Sequence, residues 1–102
     1  MYTVSVRVIA RRTLREFYEV KHDSRGPLEA WFAEARKADW KSPAEIKAQY
    51  RNASILKNSR VVFNIGGNKY RLIVKVQYDF GIIFIRFIGT HREYDQIDAE
   101  TI

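Results

Sequence analysis

The chain has 102 residues, of which 46% are hydrophobic and 14% aromatic, with eighteen Lys and Arg against twelve Asp and Glu. This length and composition predict one small globular domain over residues 1–102 and exclude a disordered or multidomain chain. The lack of cysteine excludes a disulfide framework, a thiol nucleophile and a zinc–thiolate site. The longest uncharged run, residues 61–68, is too short to span a bilayer, and the N-terminus has no signal-peptide pattern. We therefore expect a cytoplasmic protein without a membrane partner.

The net charge of +6 favours a polyanionic partner such as nucleic acid. A basic excess can also serve solubility alone, and a surface of that kind usually mixes both signs. Residues 46–78 contain seven basic residues and no acidic one. This acid-free block favours a binding surface over mere solubility.

The first half of the chain predicts one strand followed by helices. Residues 3–9 alternate valine with polar side chains, as a half-buried strand does. Apolar residues three and four positions apart predict a short helix over residues 11–20, and Pro27 is expected to open a second helix. Ser-Pro-Ala-Glu at residues 42–45 has the pattern of a capping box, so a third short helix is expected to run toward Tyr50.

The second half predicts an antiparallel meander. The hydrophobic period changes to two, which indicates strands over residues 60–65, 69–78 and 82–88. Gly-rich or Asp-Phe-Gly turns at residues 66–68 and 79–81 join them as hairpins. Helices segregated from such a sheet predict an α+β fold of two layers, with an N-terminal strand and two to three helices packed on a curved antiparallel sheet.

Alternation sorts the meander into two faces. One face is almost wholly apolar, and we expect the helices to cover it; it includes Phe63, Leu72, Val74 and Phe87. Ile88 is expected on the other face, which we expect to be open. That open face gathers five cations without a carboxylate: Arg60, Lys69, Arg71, Lys75 and Arg86. Because like charges on neighbouring strands repel, such a face suits a bound polyanion, and we infer a phosphate-binding surface.

The segment after the last strand, residues 89–95, is predicted to be a loop that presents reactive groups. The imidazole of His91 can serve as a general acid or base. Tyr94 can donate a proton or stack on a base. A loop histidine is often only a surface or capping residue, but the neighbouring cationic strands favour a functional one.

Other motifs do not indicate chemistry. The Asp-Phe-Gly tripeptide lacks every other kinase motif, and the Gly-Gly pair lacks the spacing of a nucleotide-binding loop. His22 and His91 are the only histidines, and they lie on different elements without nearby carboxylate clusters. We therefore expect neither a metal site nor a cofactor. Trp31 and Trp40 are expected in the core.

Six stretches of the chain match the motifs of a known family, at residues 13–17, 37–44, 47–50, 61–72, 84–91 and 93–95. The most specific strings within them are Phe-Asn-Ile-Gly-Gly-Asn-Lys-Tyr-Arg at residues 63–71 and Gly-Thr-His-x-Glu-Tyr-Asp at residues 89–95. From about Ile9 onward the chain resembles the HigB-type toxins of bacterial toxin–antitoxin modules, which are RelE-like mRNA interferases. The resemblance implies a RelE-like fold, consistent with the two-layer prediction.

The resemblance also implies an activity and partners. Such toxins cleave mRNA, commonly during translation in the ribosomal A site, and a helix-turn-helix antitoxin of the HigA type restrains them. In these enzymes the RNA 2′-hydroxyl attacks the adjacent phosphate without a metal and leaves a 2′,3′-cyclic phosphate. That reaction needs a base, an acid and cations around the phosphorane.

The family's chemistry assigns roles to residues of this chain. Arg71 and Arg86 are expected to stabilise the phosphate, because guanidinium binds phosphate oxygens bidentately. His91 is the expected acid or base and Tyr94 the second proton-transfer or stacking group, with their order left open. The expected RNA-binding residues are Lys57, Arg60, Asn64, Asn68, Lys69, Lys75 and Arg92. Asn68 has a second interpretation, as a residue that allows positive φ in its turn.

Two other hypotheses remain open. The same basic face can belong to a non-catalytic RNA- or DNA-binding module. The chain can also be a structural or interaction domain with an incidental basic surface. The three differ in whether His91, Tyr94 and Arg71 matter for cleavage, for binding, or for neither.

Overall fold

The computed structural model describes residues 7–102. In this part of the chain, one strand, three α-helices and one 3₁₀ helix precede a group of four strands, and a short α-helix follows. In chain order the elements are β1 (Arg7–Ile9), α1 (Arg11–Tyr18), a 3₁₀ helix (His22–Ser24), α2 (Arg25–Ala38), α3 (Pro43–Gln49), β2 (Ser54–Ile55), β3 (Arg60–Ile65), β4 (Tyr70–Gln77), β5 (Ile82–Thr90) and α4 (His91–Tyr94).

The strands form one mixed sheet in the order β1-β5-β4-β3-β2. Strands β3, β4 and β5 form the predicted antiparallel meander. The two-residue strand β2, which was not predicted, pairs antiparallel with β3, and β1 pairs in parallel with β5. The parallel pair arises because the chain crosses the helical layer between β1 and the meander. The predicted α+β fold is confirmed. Residues 3–6 of the predicted first strand lie outside the described residues.

The helix boundaries follow local capping chemistry. Helix α2 begins at Arg25, two residues before the predicted start, so that Pro27 lies in the first turn, where its missing N–H leaves no bond unmade. At the start of α3, the Ser42 side chain accepts a hydrogen bond from the Glu45 N–H. The Glu45 carboxylate in turn accepts from the N–H of Lys41 at 2.9 Å, one residue before the expected partner.

The main core lies between the helices and one face of the sheet. Trp31 packs edge-on against Phe63 with ring centroids 5.4 Å apart, and Trp40 stacks on the same ring at 5.9 Å. Trp31, Phe63 and Leu72 are at most 2% exposed, and Trp40 is also buried. The prediction that the helices cover this apolar face is confirmed.

A bulge in β5 changes which of its side chains face the helices. The pairing with β4 shifts between Ile73 and Val74, whose partners are Phe87 and Ile85, so Arg86 is the additional residue. Beyond the bulge the alternation is reversed. Ile88 packs against the main core and Phe87 against the opposite side, so the predicted placement of these two residues was wrong.

The expectation of an entirely open second face was also wrong. The C-terminal segment, residues 97–102, folds back over it. Val62 and Ile73 of the sheet form a second core cluster with Ala99, and Phe87, Ile97 and Ile102 are among the residues that pack against it. The middle of this face consists of apolar side chains that would be exposed without the C-terminal segment. The segment covers them because burying apolar surface away from water is favourable.

Candidate nucleic-acid interface

Arg71 lies at the hairpin end of the second sheet face. It is paired across the sheet with Asn64 on β3 and with Gly89 on β5. Its Nη1 donates hydrogen bonds to the main-chain oxygens of Asn68 at 3.1 Å and Tyr70 at 3.3 Å. A guanidinium has five N–H donors, so this half-buried side chain is oriented by the turn and keeps donors for an anion.

Gly89 allows the chain to pack closely beside Arg71. A Cβ atom at this position would lie 2.5 Å from Cζ of Phe87 and 3.0 Å from Oε1 of Glu93. Such distances are far below normal contact. The glycine therefore lets the Phe87 ring and the Glu93 carboxylate approach the backbone of β5, and this explains its place in the Gly-Thr-His motif.

The segment that follows β5 is a helical turn rather than the predicted loop. Thr90 caps α4: its side chain accepts from the Glu93 N–H at 3.2 Å, and its own N–H donates to the Glu93 carboxylate at 2.8 Å. This capping box lowers the pKa of Glu93, chiefly through the bond from the Thr90 N–H. The cap fixes the direction in which α4 leaves the sheet.

Helix α4 brings His91 and Tyr94 together. Their rings stack with centroids 6.5 Å apart and an interplanar angle of 30°. The exposed His91 ring also lies 3.7 Å from the Asp95 carboxylate, measured from Nε2 to Oδ1. Tyr94 packs against the second core cluster, which puts it on the same sheet face as Arg71.

The His91 main chain connects α4 to the start of β4. Its N–H donates to the main-chain oxygen of Lys69 at 3.3 Å. Arg71 is paired with Gly89, two residues before His91, which corresponds to about 7 Å along a strand. The proposed phosphate ligand and the proposed proton-transfer pair therefore share one end of the sheet.

Lys69, unlike Arg71, forms an ion pair with a carboxylate. Its Nζ lies 2.5 Å from a carboxylate oxygen of Asp23 in the 3₁₀ helix, and the Tyr70 hydroxyl donates to the other oxygen at 2.5 Å. Hydrogen bonding with Lys69 lowers the pKa of Asp23, and the same carboxylate raises the pKa values of Lys69 and Tyr70. The expectation of a carboxylate-free face was wrong at this position.

The turn before Lys69 takes its shape from glycine. Gly66 and Gly67 have φ values of 63° and 70°, whereas Asn68 is not among the residues with positive φ. The conformational interpretation of Asn68 was therefore wrong. Asn68 is exposed, and its carbonyl orients Arg71.

The remaining strand cations form a separate group around the C-terminal segment. Arg60 is 7% exposed, and its guanidinium donates to the main-chain oxygens of Asn58 and Ile102. Arg86 donates from Nε to the same Ile102 oxygen at 3.1 Å, and Lys75 is the cross-strand partner of Arg60. Because the Arg60 side chain is buried in these bonds, the expectation that it stands on an open face was wrong.

Arg71 and Arg86 thus share a face but not a cluster. The paired residues Ile73 and Phe87, covered by the C-terminal segment, lie between them. Of the predicted site residues, the hairpin end brings together Asn64, Asn68, Arg71, His91 and Tyr94. Lys57, Arg60, Lys75 and Arg86 lie toward the other end of the face, and exposed Arg92 lies on α4.

Sequence patterns did not indicate two of these contacts. Asp23 lies 46 residues from Lys69, in a segment that mixes both charges, so no spacing rule connects them. The Ile102 main-chain oxygen belongs to a segment without a clear period. Thr-His-Arg-Glu, by contrast, has the spacing of a capping box and could have predicted α4.

Among residues 7–102, no helix combines the length and the apolar character that crossing a membrane requires. The same range contains no group of three or more His, Asp or Glu side chains arranged to hold a metal ion.

Residues 24–97, which include every predicted site residue, match the model of a family described as the HigB toxin, RelE-like toxic component of a toxin–antitoxin system. The chain belongs to the HigB toxin family. As a HigB family member it is the toxic component of such a system, and its partner is an antitoxin.

Curated relatives agree with this family. The chain is 29% identical over 94 residues to the mRNA interferase toxin HigB of Escherichia coli K12, covering 90% of each chain. The mRNA interferase HigB of Shigella flexneri has the same identity and coverage. A further mRNA interferase HigB, from Escherichia coli O6:H1, is 26% identical over 72 residues, covering 69% of this chain and 70% of the relative.

Proposed function

We propose that this HigB family member is an endoribonuclease that cleaves mRNA and thereby inhibits translation. The observation that supports it best is the position of Arg71 beside Asn64 and Gly89, at the sheet end where α4 presents His91 and Tyr94. The names of the relatives from Escherichia coli K12 and Shigella flexneri, both mRNA interferases, also support this activity. A phosphate ligand and two proton-transfer groups within one short span are what RNA cleavage requires.

The proposed reaction needs only groups of this kind. The 2′-oxygen of one nucleotide attacks the adjacent phosphorus, and its proton passes to a base on the protein. The bond from phosphorus to the 5′-oxygen breaks, and that oxygen takes a proton from an acid. The products are a 2′,3′-cyclic phosphate and a 5′-hydroxyl end, formed without a metal.

Each role is assigned to a residue of the hairpin end. His91 and Tyr94 are the acid and base, and their stacked rings leave the order between them open. Arg71 stabilises the negative charge of the phosphorane, because its free N–H donors match two phosphate oxygens. Arg86, on the same face but beyond the Ile73–Phe87 pair, stabilises the phosphate of a more distant nucleotide rather than the reacting one.

The other cations extend the RNA path along the same face. Asn64 and Asn68 bind the nucleotide at the hairpin end, and Lys75, Lys57 and Arg92 bind the backbone further away. Lys69 contributes through its charge, which Asp23 partly neutralises. Arg60 contributes indirectly, because it holds the C-terminal segment against the sheet.

The partners of this proposal are a message on the ribosome and an antitoxin. We propose that the chain enters the ribosomal A site and that a HigA-type helix-turn-helix protein is its antitoxin. Cation–phosphate contacts release counterions, so binding to ribosomes is expected to weaken as salt is raised from 50 to 200 mM, by about tenfold or more.

The experiment is to induce this chain alone in bacteria and to map the ends of cellular mRNA. We expect growth arrest and new 5′-hydroxyl ends within coding regions, and we expect Arg71→Ala to abolish both. Arg12→Ala is the control, because Arg12 is an exposed arginine of α1 that pairs with Glu16. Intact messages and normal growth with the unmodified chain would exclude the endoribonuclease.

The same assay separates cleavage from simple binding. A non-catalytic RNA-binding module would bind RNA as tightly after His91→Ala and Tyr94→Phe as before. It would lose RNA binding only after Arg71→Glu. An endoribonuclease loses cleavage after His91→Ala and after Arg71→Glu, and it also loses cleavage after Tyr94→Phe if Tyr94 transfers a proton. A structural domain would show no salt-dependent association with ribosomes or RNA at all.

A further inference from the structure

A cleft of about 380 Å³ lies beside the hairpin end, outside the residues assigned above except for Asn64. The segment after α3 forms one wall with Tyr50, Arg51 and Asn52, and the β3–β4 hairpin forms the other with Asn64 and Gly67. This volume is typical of small-molecule sites and is ample for a single nucleobase. The cleft adjoins Arg71, because Asn64 is the cross-strand partner of Arg71.

The outer edge of β3 opens into this cleft. The Leu56 N–H donates to the Arg60 main-chain oxygen at 2.9 Å, so the main-chain groups of Arg60 point toward β2. Main-chain directions alternate along a strand, and those of Asn64 therefore point the same way. Strand β2 pairs only with Val61 and Val62 and ends before it reaches Asn64. One N–H and one C=O of the edge thus face the cleft.

The side chains around this edge fit a flat, polar ligand. Arg51 and Asn52 are exposed, so a guanidinium plane and an amide are available to a ligand in the cleft. The half-buried Tyr50 ring is held by a hydrogen bond from its hydroxyl to Glu34. RNA bases that are splayed out of a stack are recognised by such planes and by hydrogen bonds to their edges.

We propose that this cleft binds the nucleobase of a nucleotide next to the scissile phosphate and determines which base is accepted there. The inference rests on the proposed function, since it takes the RNA bound at Arg71 as the source of the base. Arg51 stacks on the base, and the Asn52 amide and the Asn64 main chain read its edge. These residues determine specificity and do not take part in the proton transfers.

The first test maps cleavage sites for Arg51→Ala and Asn52→Ala, with Arg12→Ala as the matched control. We expect both cleft variants to cleave with a base preference beside the cut that is changed by about fivefold or more. The control should retain the preference of the unmodified chain. Cleavage by the cleft variants with unchanged preferences would overturn the inference and leave the endoribonuclease intact.

A second test does not depend on cleavage. Nuclear magnetic resonance spectra of the unmodified chain are recorded with AMP, GMP, CMP and UMP, and separately with ribose 5-phosphate, which has no base. We expect base-dependent shifts of the Arg51, Asn52 and Gly67 amide signals that ribose 5-phosphate does not produce. Equal shifts with ribose 5-phosphate, or none with any nucleotide, would overturn the inference even if the cleft variants fail to cleave. If the unmodified chain cleaves no RNA, the proposed function fails while this test still decides the cleft.

Discussion

Arg60 on β3 and Arg86 on β5 donate hydrogen bonds to the same main-chain oxygen, that of Ile102. Arg60 contributes Nη2 at 2.6 Å and Nε at 3.2 Å, and Arg86 contributes Nε at 3.1 Å. Two cations that the sequence suggests for a phosphate therefore hold the C-terminal segment in place, and Arg60 is buried in doing so. An oxygen of the protein occupies the position between them.

We expect Arg60→Ala to lower the free energy of unfolding by about 2–4 kcal/mol, because it removes buried charge-assisted bonds to the main-chain oxygens of Asn58 and Ile102. Urea denaturation measures this. Lys57→Ala, in the adjacent exposed loop, should change it by less than about 0.5 kcal/mol. Equal stability of the two variants would show that Arg60 does not hold the segment.

Arg71 is expected to matter for activity rather than for stability. Arg71→Ala should reduce the rate of mRNA cleavage by about 10²–10³-fold, the usual effect of removing one preorganised donor from a transition state. Arg71→Lys should recover little of that rate, because an ammonium cannot bind two phosphate oxygens in the same plane. Single-turnover cleavage of a translated message, with the unfolding free energy as control, tests both; full activity in Arg71→Ala would contradict the assignment.

Tyr94→Phe separates proton transfer from packing, since the phenyl ring preserves contact with the second core cluster. If Tyr94 transfers a proton, this variant should lose about 10²–10⁴-fold in cleavage rate while its melting temperature stays within a few degrees. Retained activity would restrict Tyr94 to stacking and leave His91 as the only proton-transfer group of α4.

Gly89→Ala should destabilise the fold by about 1–3 kcal/mol, because the new methyl group would meet the Phe87 ring at 2.5 Å. Adding Phe87→Leu, which removes the atom that clashes, should restore part of the loss. Gly26→Ala in α2 is the control: nothing lies within 4 Å of its Cβ position, and the change should stabilise by about 0.5–1 kcal/mol. Thermal unfolding is compared for the unmodified chain, Gly89→Ala, Phe87→Leu, their double variant and Gly26→Ala. Additive effects of Gly89→Ala and Phe87→Leu in the double variant would contradict the prediction.

The ion pair between Asp23 and Lys69 should make stability depend on pH in acid. The folded state lowers the pKa of Asp23, so the contribution of this carboxylate is present above its ordinary pKa and is lost as the pH falls through the lowered value. At pH 6 the Asp23→Asn variant should therefore have a lower melting temperature than the unmodified protein. The difference between the two melting temperatures should become smaller below about pH 4. A gap that is constant from pH 2 to 6 would contradict this.

In alkaline solution, the contribution of Lys69 to stability depends on pH in the opposite direction. Its pKa is raised in the folded state, so its contribution is present below the ordinary lysine value and is lost as the pH rises through the raised one. The difference in melting temperature between Asp23→Asn and the unmodified protein should therefore become smaller again in strong alkali.

Much of the fold was predictable because it depends on local chemistry. The Ser42 cap, the helical spacing of Leu28 and Trp31, and the alternation in β3 and β4 all act over a few residues. The positive φ values at Gly66 and Gly67 likewise follow from glycine itself. The candidate site was predictable only in part: Arg71, His91 and Tyr94 share one end of the sheet as expected, while Lys69 and Arg60 have partners in distant segments.

The sequence by itself determined the order of the helices and strands and the basic block without acidic residues. It also contained the motifs that resemble those of the HigB toxin family. Tertiary structure alone decided that Arg86 is a bulge residue, that Phe87 and Ile88 exchange faces, and that residues 97–102 cover the middle of the basic face. The physical reason is that periodicity reports which side chains share a face of one isolated strand. Register between strands and the packing of a distant segment depend on contacts that form only when the whole chain has folded.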